Sequence, residues 1–376
     1  MHTFAVARVV HGIEPLVATE IRRSRLGVVR GVRHREVWFE ATDEAGLLGL
    51  RTASLLLRTA DDVLMASAVV DGIGPGRSAL ARLAEAARGV DAVRLARLGG
   101  GRPDARGGLE VSASFVGRRN YTRFEIEDAV GGELARALRV RYHSRTAGGR
   151  PPLEAMSWRV TIEGEQAVIA LRPAHRPLHR RPYKTASIRG TLHPPVAAAM
   201  AELARLEGAG TVLDPCCGAG TTLIEAHALA PHVRLLGFDH DPAALAAAAA
   251  NARAALDDSD PSARDGLRAA SASPSQCGGA PFGWVLADGG RIPAPDGSAD
   301  RVLVNPPWGR QVPPRGLLAR DLGPLWREVR RVLTADGLAV ALVHDGIPHR
   351  FAVEEAIRVS LSGRHPMIAV LRKGRG

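Results

Sequence analysis

Hydrophobic and polar positions follow two different patterns along the 376-residue chain. Up to about residue 171, short strand-like runs such as FAVARVV and LEVSASFVG alternate with helical patterns such as SALARLAEAARGV. The run WRVTIEGEQAVIALR predicts a hairpin that turns at Gly164. The first half is therefore predicted to be α+β, divided into a subdomain at 1–60 and a second domain at 61–171.

The second half, 191–376, repeats one scheme of apolar strand, Gly- or Asp-containing turn and Ala-rich helix. This order is typical of βα units and predicts a doubly wound, mostly parallel, Rossmann-like sheet. The predicted strands are TVLD, RLLGF, FGWVLA, RVLVN, GLAVALV and MIAVLRK. Asp241 and Pro242 should begin a helix, and Gly337 should end another.

Two segments lack a hydrophobic period. Residues 172–190 are basic, contain proline and are predicted to link the two halves. Residues 257–279 are rich in Ser, Asp, Gly and Pro and are predicted to be a surface insertion.

The positive charge is concentrated in the first half. Residues 1–190 hold 31 Lys and Arg against 20 Asp and Glu, whereas 191–376 hold 19 of each, so the net charge of +11 belongs to the first half. A compositional bias toward arginine would spread the charge evenly. The asymmetry favours a polyanionic partner for the first half.

Several classes of protein are disfavoured. No apolar run approaches the roughly 18 residues of a membrane span, and the first residues do not form an export signal, so we expect a cytoplasmic protein. Three cysteines, two of them adjacent, fit neither a disulfide framework nor a spaced zinc site, and we expect no metal.

The segment VLDPCCGAGTTLIEA runs from a strand through a glycine loop into a helix. It lacks the third glycine of a dinucleotide fingerprint, and the carboxylate of Asp214 would repel a pyrophosphate. S-adenosylmethionine suits this loop, because its amino group and sulfonium are positive and Gly218 and Gly220 let the backbone approach closely. Cys216 is expected to shape the loop as a small residue.

Two further carboxylates follow the next strands. Asp239 lies near the offset from Gly220 at which a carboxylate binds ribose hydroxyls, and we assign it that role. Asp288 follows the third strand and could accept the adenine amino proton, although an Asp-Gly turn explains it nearly as well.

The fourth strand ends in NPPW, residues Asn305, Pro306, Pro307 and Trp308. A conjugated exocyclic amine is a poor nucleophile because its lone pair is delocalised. The Asn305 side-chain oxygen and the Pro306 carbonyl can accept its two hydrogens and direct the lone pair at a methyl group, while Trp308 offers a stacking face. This tetrapeptide predicts an amine methyltransferase.

Together these motifs resemble the THUMP-domain class I RNA (guanine-N2)-methyltransferases, especially the tRNA acceptor-stem enzymes that modify position six. TLHPPVAAAMAEL, DPCCGAGTTLIEA, GFDHD and NPPWG carry the resemblance, and SFVGRRNYTRFEIEDAVGGELARAL resembles the end of a THUMP domain. It implies a ferredoxin-like and THUMP-type first half, N2-methylguanosine in tRNA as product, and S-adenosylhomocysteine as by-product. Trp308 departs from the commoner Tyr or Phe, and the 257–279 insertion makes the placement of Asp288 less direct.

The residues expected to contact RNA are arginines beside aromatic residues, which suit phosphate contact and stacking, and basic residues of the linker. They are Arg118, Arg119, Arg123, Arg141, Arg180, Arg181 and Lys184.

The alternatives are the same chemistry on ribosomal RNA, on adenine or on a protein glutamine amide, and a noncatalytic RNA-binding protein. The basic first half argues against a protein substrate, and the intact DPCCGAG and NPPWG motifs argue against a noncatalytic role. We expect a monomer that uses no metal and no covalent intermediate.

Overall fold

The computed structural model describes residues 3–41, 50, 56–99, 107–146, 148–174, 176–257, 281–307, 309, 312–344, 346–361 and 363–374. The chain divides into two compact units: Met1–Val9 with Val17–Leu178, and Val10–Leu16 with His179–Gly376. Residues 258–279 of the predicted insertion lie outside the described residues. Within the described ranges, no helix is both long and apolar enough to cross a membrane.

The first unit contains a seven-stranded sheet in the order β2-β3-β1-β4-β7-β6-β5. All neighbours are antiparallel except β5 and β6, which are parallel. Its strands are β1 (Thr3–Arg8), β2 (Val28–Arg33), β3 (Glu36–Ala41), β4 (Asp62–Val70), β5 (Leu109–Phe115), β6 (Met156–Glu163) and β7 (Gln166–Leu171). The helices of the N-terminal half are α1 (Glu14–Arg23), α2 (Ser78–Arg88), α3 (Ala92–Leu98) and α4 (Arg123–Leu138).

This sheet crosses the boundary expected at residue 60. β1 pairs with β3 on one side and with β4 on the other, in the register Ala5 to Met65, so 1–60 and 61–171 share one sheet rather than forming separate domains. A backbone pairing of this kind leaves no trace in composition. The hairpin of β6 and β7 forms as predicted, and Gly164 at its turn has a φ of +57°.

The second unit contains the other seven-stranded sheet, in the order β10-β9-β8-β11-β12-β14-β13. Five neighbouring strands, from β10 to β12, are parallel, and β14 is antiparallel to both its neighbours. Its strands are β8 (Thr211–Asp214), β9 (Arg234–Asp239), β10 (Phe282–Leu286), β11 (Ala299–Val304), β12 (Leu333–Val343), β13 (Phe351–Arg358) and β14 (Met367–Lys373). Its helices are α5 (Pro194–Leu203), α6 (Thr221–Leu229), α7 (Pro242–Asp257) and α8 (Gly323–Val332), with a 3₁₀ turn at Gly316–Leu318.

The predicted start of α7 is confirmed, whereas the predicted end of α8 is wrong. Asp241 accepts a hydrogen bond from the backbone N–H of Ala243, and Pro242 is the first residue of α7. α8 ends at Val332, and Gly337 lies inside β12. Leu333 is fully buried and paired with Ala299 of β11, so sheet pairing ends the helix four residues earlier than the predicted end at Asp336.

The strand order places the site. β9 and β10 lie on one side of β8, whereas β11 and β12 lie on the other. Loops that follow strands on the two sides of such a reversal diverge, and ligands bind in the crevice between them at the carboxyl ends of the strands.

Candidate active site

A cavity of about 340 Å³ lies in the second unit where β8, β9 and β11 end. The loops after these strands supply most of its wall, and a stretch of the basic segment before α5 closes it. Its lining includes Asp214, Cys216, Gly218, Asp239, Asp288, Asn305, Pro306 and Pro307. The cavity therefore brings together most of the cofactor and catalytic residues predicted from sequence.

Asp214 is buried at the end of β8, with 1% of its surface exposed. It accepts hydrogen bonds from the backbone N–H of Cys216 at 2.9 Å and from the hydroxyl of Thr222. Burial raises the pKa of Asp214 to about 7, although both hydrogen bonds act in the opposite direction. A cationic ligand in the cavity would favour the ionised form of this carboxyl group.

The loop after Asp214 needs its glycines. Gly218 and Gly220 have φ values of +52° and +78°, which side chains disfavour. A Cβ on Gly220 would also lie 2.9 Å from Cη2 of Trp284. Cys216 lines the cavity. Burial raises the pKa of its thiol, and nearby carboxylates raise it further, so the thiol stays neutral.

Asp239 joins two of the loops that form the cavity. One carboxylate oxygen accepts from the N–H of Gly218 at 2.9 Å, and the other accepts from the N–H of Asp241 at 3.0 Å. A carboxylate has about four acceptor sites, so two remain after these bonds. Asp239 can both order the glycine loop and accept hydroxyls from a ligand.

Asp288 has a second task that sequence reasoning missed. Its two oxygens accept from the N–H groups of Gly290 and Leu317, each at 2.8 Å. Gly316 packs so closely that a Cβ there would lie 2.0 Å from an Asp288 oxygen. Asp288 thus lines the cavity and also holds the 3₁₀ turn that follows the NPPW segment.

Asn305, Pro306 and Pro307 follow β11 and line the cavity, with Pro306 buried and Asn305 half-buried. Trp308 lies outside the described residues, so its predicted stacking role stays a prediction. Asn305 and the two prolines of this loop line the same cavity as Asp214 and Asp239.

Residues 179–190 of the predicted linker are built into the second unit, whereas 172–178 belong to the first. Residues 188–190 line the cavity, and Asn251 of α7 fixes the chain just before them. The fully buried Asn251 side chain exchanges hydrogen bonds with the backbone N–H and carbonyl of Ala186, at 2.8 and 3.0 Å, and donates to the carbonyl of Ala219 at 3.0 Å. Asn251 therefore ties this segment to the glycine loop. A lone Asn in an Ala-rich helix gave no such signal in the sequence.

Arg181 is a correction to the expected RNA contacts. Its side chain is buried and forms an ion pair with Glu225 of α6 at 2.9 Å, and the hydroxyl of Tyr183 donates to the same carboxylate. Glu225 is itself fully buried, so the pair anchors the segment on α6. This burial leaves the Arg181 guanidinium little surface with which it could contact RNA.

Arg119 is also committed to the fold. Its guanidinium donates to the carbonyls of Ile73 and Gly164 at 2.8 and 2.6 Å and lies over the ring of Tyr121. Lys184 is half-buried, and desolvation lowers its pKa. The remaining expected contacts are exposed, namely Arg118, Arg123, Arg141 and Arg180.

The polar side chains that line the cavity fit S-adenosylmethionine. Asp214, Asp239 and Asp288 supply acceptors for amino and hydroxyl groups around one cavity. Thr221 also lines it, is 4% exposed, and its hydroxyl has no hydrogen-bond partner among the described residues. An unpaired buried hydroxyl at the start of α6 suits a polar group of a ligand.

Residues 181–360 match the UPF0020 family model, described as an RMKL-like methyltransferase domain. A tRNA (guanine(6)-N2)-methyltransferase of Thermus thermophilus is 29% identical over 280 residues, covering 72% of this chain and 74% of the relative. A U6 snRNA (guanine-N(2))-methyltransferase, THUMPD2, of Bos taurus is 28% identical over 244 residues, which cover 61% of this chain but only 43% of that relative.

The crystal structure of TrmN from Thermus thermophilus matches with a TM-score of 0.69 and 26% identity over 99% of both chains. The crystal structure of SMU.472 complexed with SAH matches with a TM-score of 0.67 over 100% of this chain and 99% of that one, at 16% identity. The predicted α/β architecture, with a C-terminal Rossmann-like methyltransferase domain, is confirmed.

Proposed function

Because residues 181–360 match an RMKL-like methyltransferase domain, we propose that this chain methylates the exocyclic N2 amine of a guanosine in tRNA, with S-adenosylmethionine as donor. The observation that carries the proposal is the shared cavity, in which Asn305 and Pro306 face the same space as Asp214 and Asp239. The Thermus relative, a tRNA (guanine(6)-N2)-methyltransferase by name, supports tRNA as the substrate.

The cofactor would be held by the carboxylates at the strand ends. Asp239 would accept the ribose hydroxyls, Asp288 the adenine amino group, and Asp214 would face the positive charge. When bound, S-adenosylmethionine supplies an electrophilic methyl group and leaves as S-adenosylhomocysteine. Burial by itself disfavours the charged form of Asp214. A cation bound nearby would attract the negative charge and so favour the ionised form.

Asn305 and Pro306 would orient the nucleophile. The Asn305 oxygen and the Pro306 carbonyl accept the two amine hydrogens, which turns the nitrogen lone pair away from the ring system. Proline restricts the loop backbone, so the two acceptors are preorganised. The amine becomes acidic on methylation, and its proton can pass to water without a dedicated base.

The first test is identification of the product. Full-length protein is incubated with a tRNA transcript and isotopically labelled S-adenosylmethionine, and the nucleosides of the digested RNA are separated by mass spectrometry. We expect N2-methylguanosine. Methylation of a ring carbon, a ribose or an adenine amine, or no product at all, would contradict the proposal.

The RNA class needs its own comparison, because the bovine relative is named for U6 snRNA. Parallel reactions with tRNA, a U6-type transcript and ribosomal RNA should give the highest kcat/KM on tRNA. A preference for another RNA would keep the chemistry and change the substrate. Monomeric state, cytoplasmic location and independence from metal stay predictions.

A further inference from the structure

Two arginines line the cavity and have no partner within the described ranges of the chain. Arg189 and Arg315 are both exposed, and neither guanidinium forms an ion pair or a hydrogen bond with another described residue. By contrast, every aspartate of the lining accepts at least one hydrogen bond from the protein. Among the charged residues of the lining, Arg189 and Arg315 are therefore the ones whose polar groups have no protein partner within the described ranges.

The backbone of Arg189 is fixed by a tight turn. The N–H and the hydroxyl of Thr191 donate to the carbonyl of Ile188 at 3.2 and 2.6 Å, and the same hydroxyl accepts from the N–H of Ile188. Gly190 has a φ of +81°, as the third residue of a type II turn requires. Arg189 occupies the second position of this turn, and its side chain is exposed.

The backbone of Arg315 is fixed by Asp288. The carbonyl of Arg315 accepts from the N–H of Leu318 at 3.1 Å, and Asp288 accepts from the N–H of Leu317. Gly316, with a φ of +59°, lies against the same carboxylate. Asp288 therefore couples the floor of the cavity to the position of Arg315.

The two turns lie against each other. A Cβ on Gly190 would lie only 2.4 Å from Cγ2 of Val312, which precedes Arg315 by three residues. Both arginines consequently belong to one part of the wall, formed by 188–191 and 312–318. They carry two guanidinium groups on segments whose backbones are already held, so little order has to be gained when a ligand binds.

Guanidinium groups bind phosphate through paired, charge-assisted hydrogen bonds. A base that enters a pocket for chemistry on its edge brings its own backbone with it, and the adjacent phosphates then lie at the pocket wall. Building on the function proposed above, we propose that Arg189 and Arg315 bind the backbone phosphates that flank the target guanosine.

The test compares Arg189→Gln, Arg315→Gln and the double variant with the wild-type protein. Arg253→Gln is the matched control, because Arg253 is exposed on α7, lies outside the cavity and has no partner within the described part of the chain. Each single substitution should raise the KM for tRNA about tenfold, and the double about a hundredfold. The slope of log affinity against log salt should fall by about 0.7 for each lost phosphate contact. Cofactor affinity, measured by calorimetry, should stay within about twofold of wild type.

Lysine replacements add a second readout. Arg189→Lys and Arg315→Lys keep the charge but lose the paired geometry. Their salt slope should therefore match that of the wild type, whereas their KM for tRNA should lie between those of the wild type and the Gln variants. A double Gln variant that matches Arg253→Gln in KM and salt slope would overturn the proposal. So would a loss of cofactor affinity with unchanged KM for tRNA, because the arginines would then bind the cofactor.

Failure of the proposed function is visible separately. If the wild-type protein forms no N2-methylguanosine, that function is wrong. The arginines are then tested by fluorescence anisotropy of tRNA binding in the presence of S-adenosylhomocysteine. Equal affinities for wild type and the double variant in that assay would also overturn the phosphate assignment.

Discussion

The two seven-stranded sheets differ in direction, and the difference decides where chemistry collects. In the second unit, five neighbouring strands are parallel, so the loops after β8, β9 and β11 meet at one edge and share a cavity. In the first unit, all but one pair of neighbours are antiparallel, so the carboxyl ends of the strands are divided between two edges: β1, β2 and β7 end at one edge, and β3, β4, β5 and β6 end at the other. Parallel order gathers side chains from distant parts of the sequence into one site.

The first unit uses much of its basic charge for its own folding. Arg172 and Asp62 form an ion pair at 2.7 Å with both side chains largely buried, and Arg145 pairs with the fully buried Glu127 at 2.7 Å. The total number of arginines in the sequence thus overstates the number that are available to RNA. Exposure in the folded unit separates the arginines that are available to RNA from those that stabilise the fold.

The largest expected effect is that of Asn305→Ala, which tests the chemistry assigned to the second unit. Methyl transfer in single turnovers should slow by roughly a hundredfold to a thousandfold, because one preorganised acceptor for the amine is lost. Cofactor and tRNA affinities should stay near wild type. A rate close to wild type would remove Asn305 from the catalytic role.

Next in size is Asp239→Ala. Loss of its charged hydrogen bonds should weaken cofactor binding by about 1 to 3 kcal/mol, which is roughly fivefold to 150-fold in the dissociation constant measured by calorimetry. Asp296→Ala is the control, since Asp296 is an exposed carboxylate of the same unit outside the cavity. Equal affinities for the two variants would refute the ribose assignment.

Local sequence predicted the elements of both units better than their connections. TVLD coincides with the parallel strand β8, and MIAVLRK coincides with the antiparallel strand β14, because both strands are largely buried and therefore form continuous apolar runs. The pairing of β1 with β4 joined two expected domains into one sheet, since strand partners far apart in sequence share no local pattern.

The residues of the site also divide into those that local sequence could predict and those that it could not. Asp214, Asp239 and Asn305 could be found because each follows a predicted strand, and parallel strands bring such positions together. Arg189 and Arg315 could not, because they lie in turns whose approach depends on Gly190 packing against Val312. The segment before α5 looked like a linker because its anchors, Arg181 and Asn251, are polar residues with buried partners.

The isolated second half of the chain is a poor test of how function is divided between the two units. Residues Val10–Leu16 group with the second unit, and the N–H of Ser360 donates to the carbonyl of His11 at 3.0 Å. Removal of 1–170 would delete this segment, so substitutions in the full chain are the cleaner experiment.

A smaller effect should separate the exposed arginines of the first unit from the buried ones. Arg118→Gln combined with Arg123→Gln should weaken tRNA binding by roughly fivefold and lower the salt slope by about 1.4, as expected for two lost phosphate contacts. Arg119→Gln should instead lower the melting temperature, because its guanidinium donates to several carbonyls of the unit. If Arg119→Gln alone reduced the salt slope, the division would fail.

A pH dependence of stability is expected to arise from Asp214 in the cavity. Burial raises the pKa of Asp214 from 3.8 to about 7, so between these values the folded state binds a proton that the unfolded state has released. The stability gained from this proton is fully present below pH 4 and is lost as the pH rises through 7. Relative to Asp214→Asn, the wild-type free energy of unfolding should therefore decline from pH 5 to pH 8.

The cofactor should reverse that preference, because its positive charge favours ionised Asp214. At pH 7 its binding should release up to about half a proton from this carboxyl group, and affinity should increase as the pH rises from 6 to 8. Calorimetry in two buffers of different ionisation enthalpy measures the proton release directly, and Asp214→Asn supplies the background from all other groups. Equal proton release by the two proteins would place the positive charge of the cofactor away from Asp214, and the acidic edge of the parallel sheet would then act only in ordering the glycine loop.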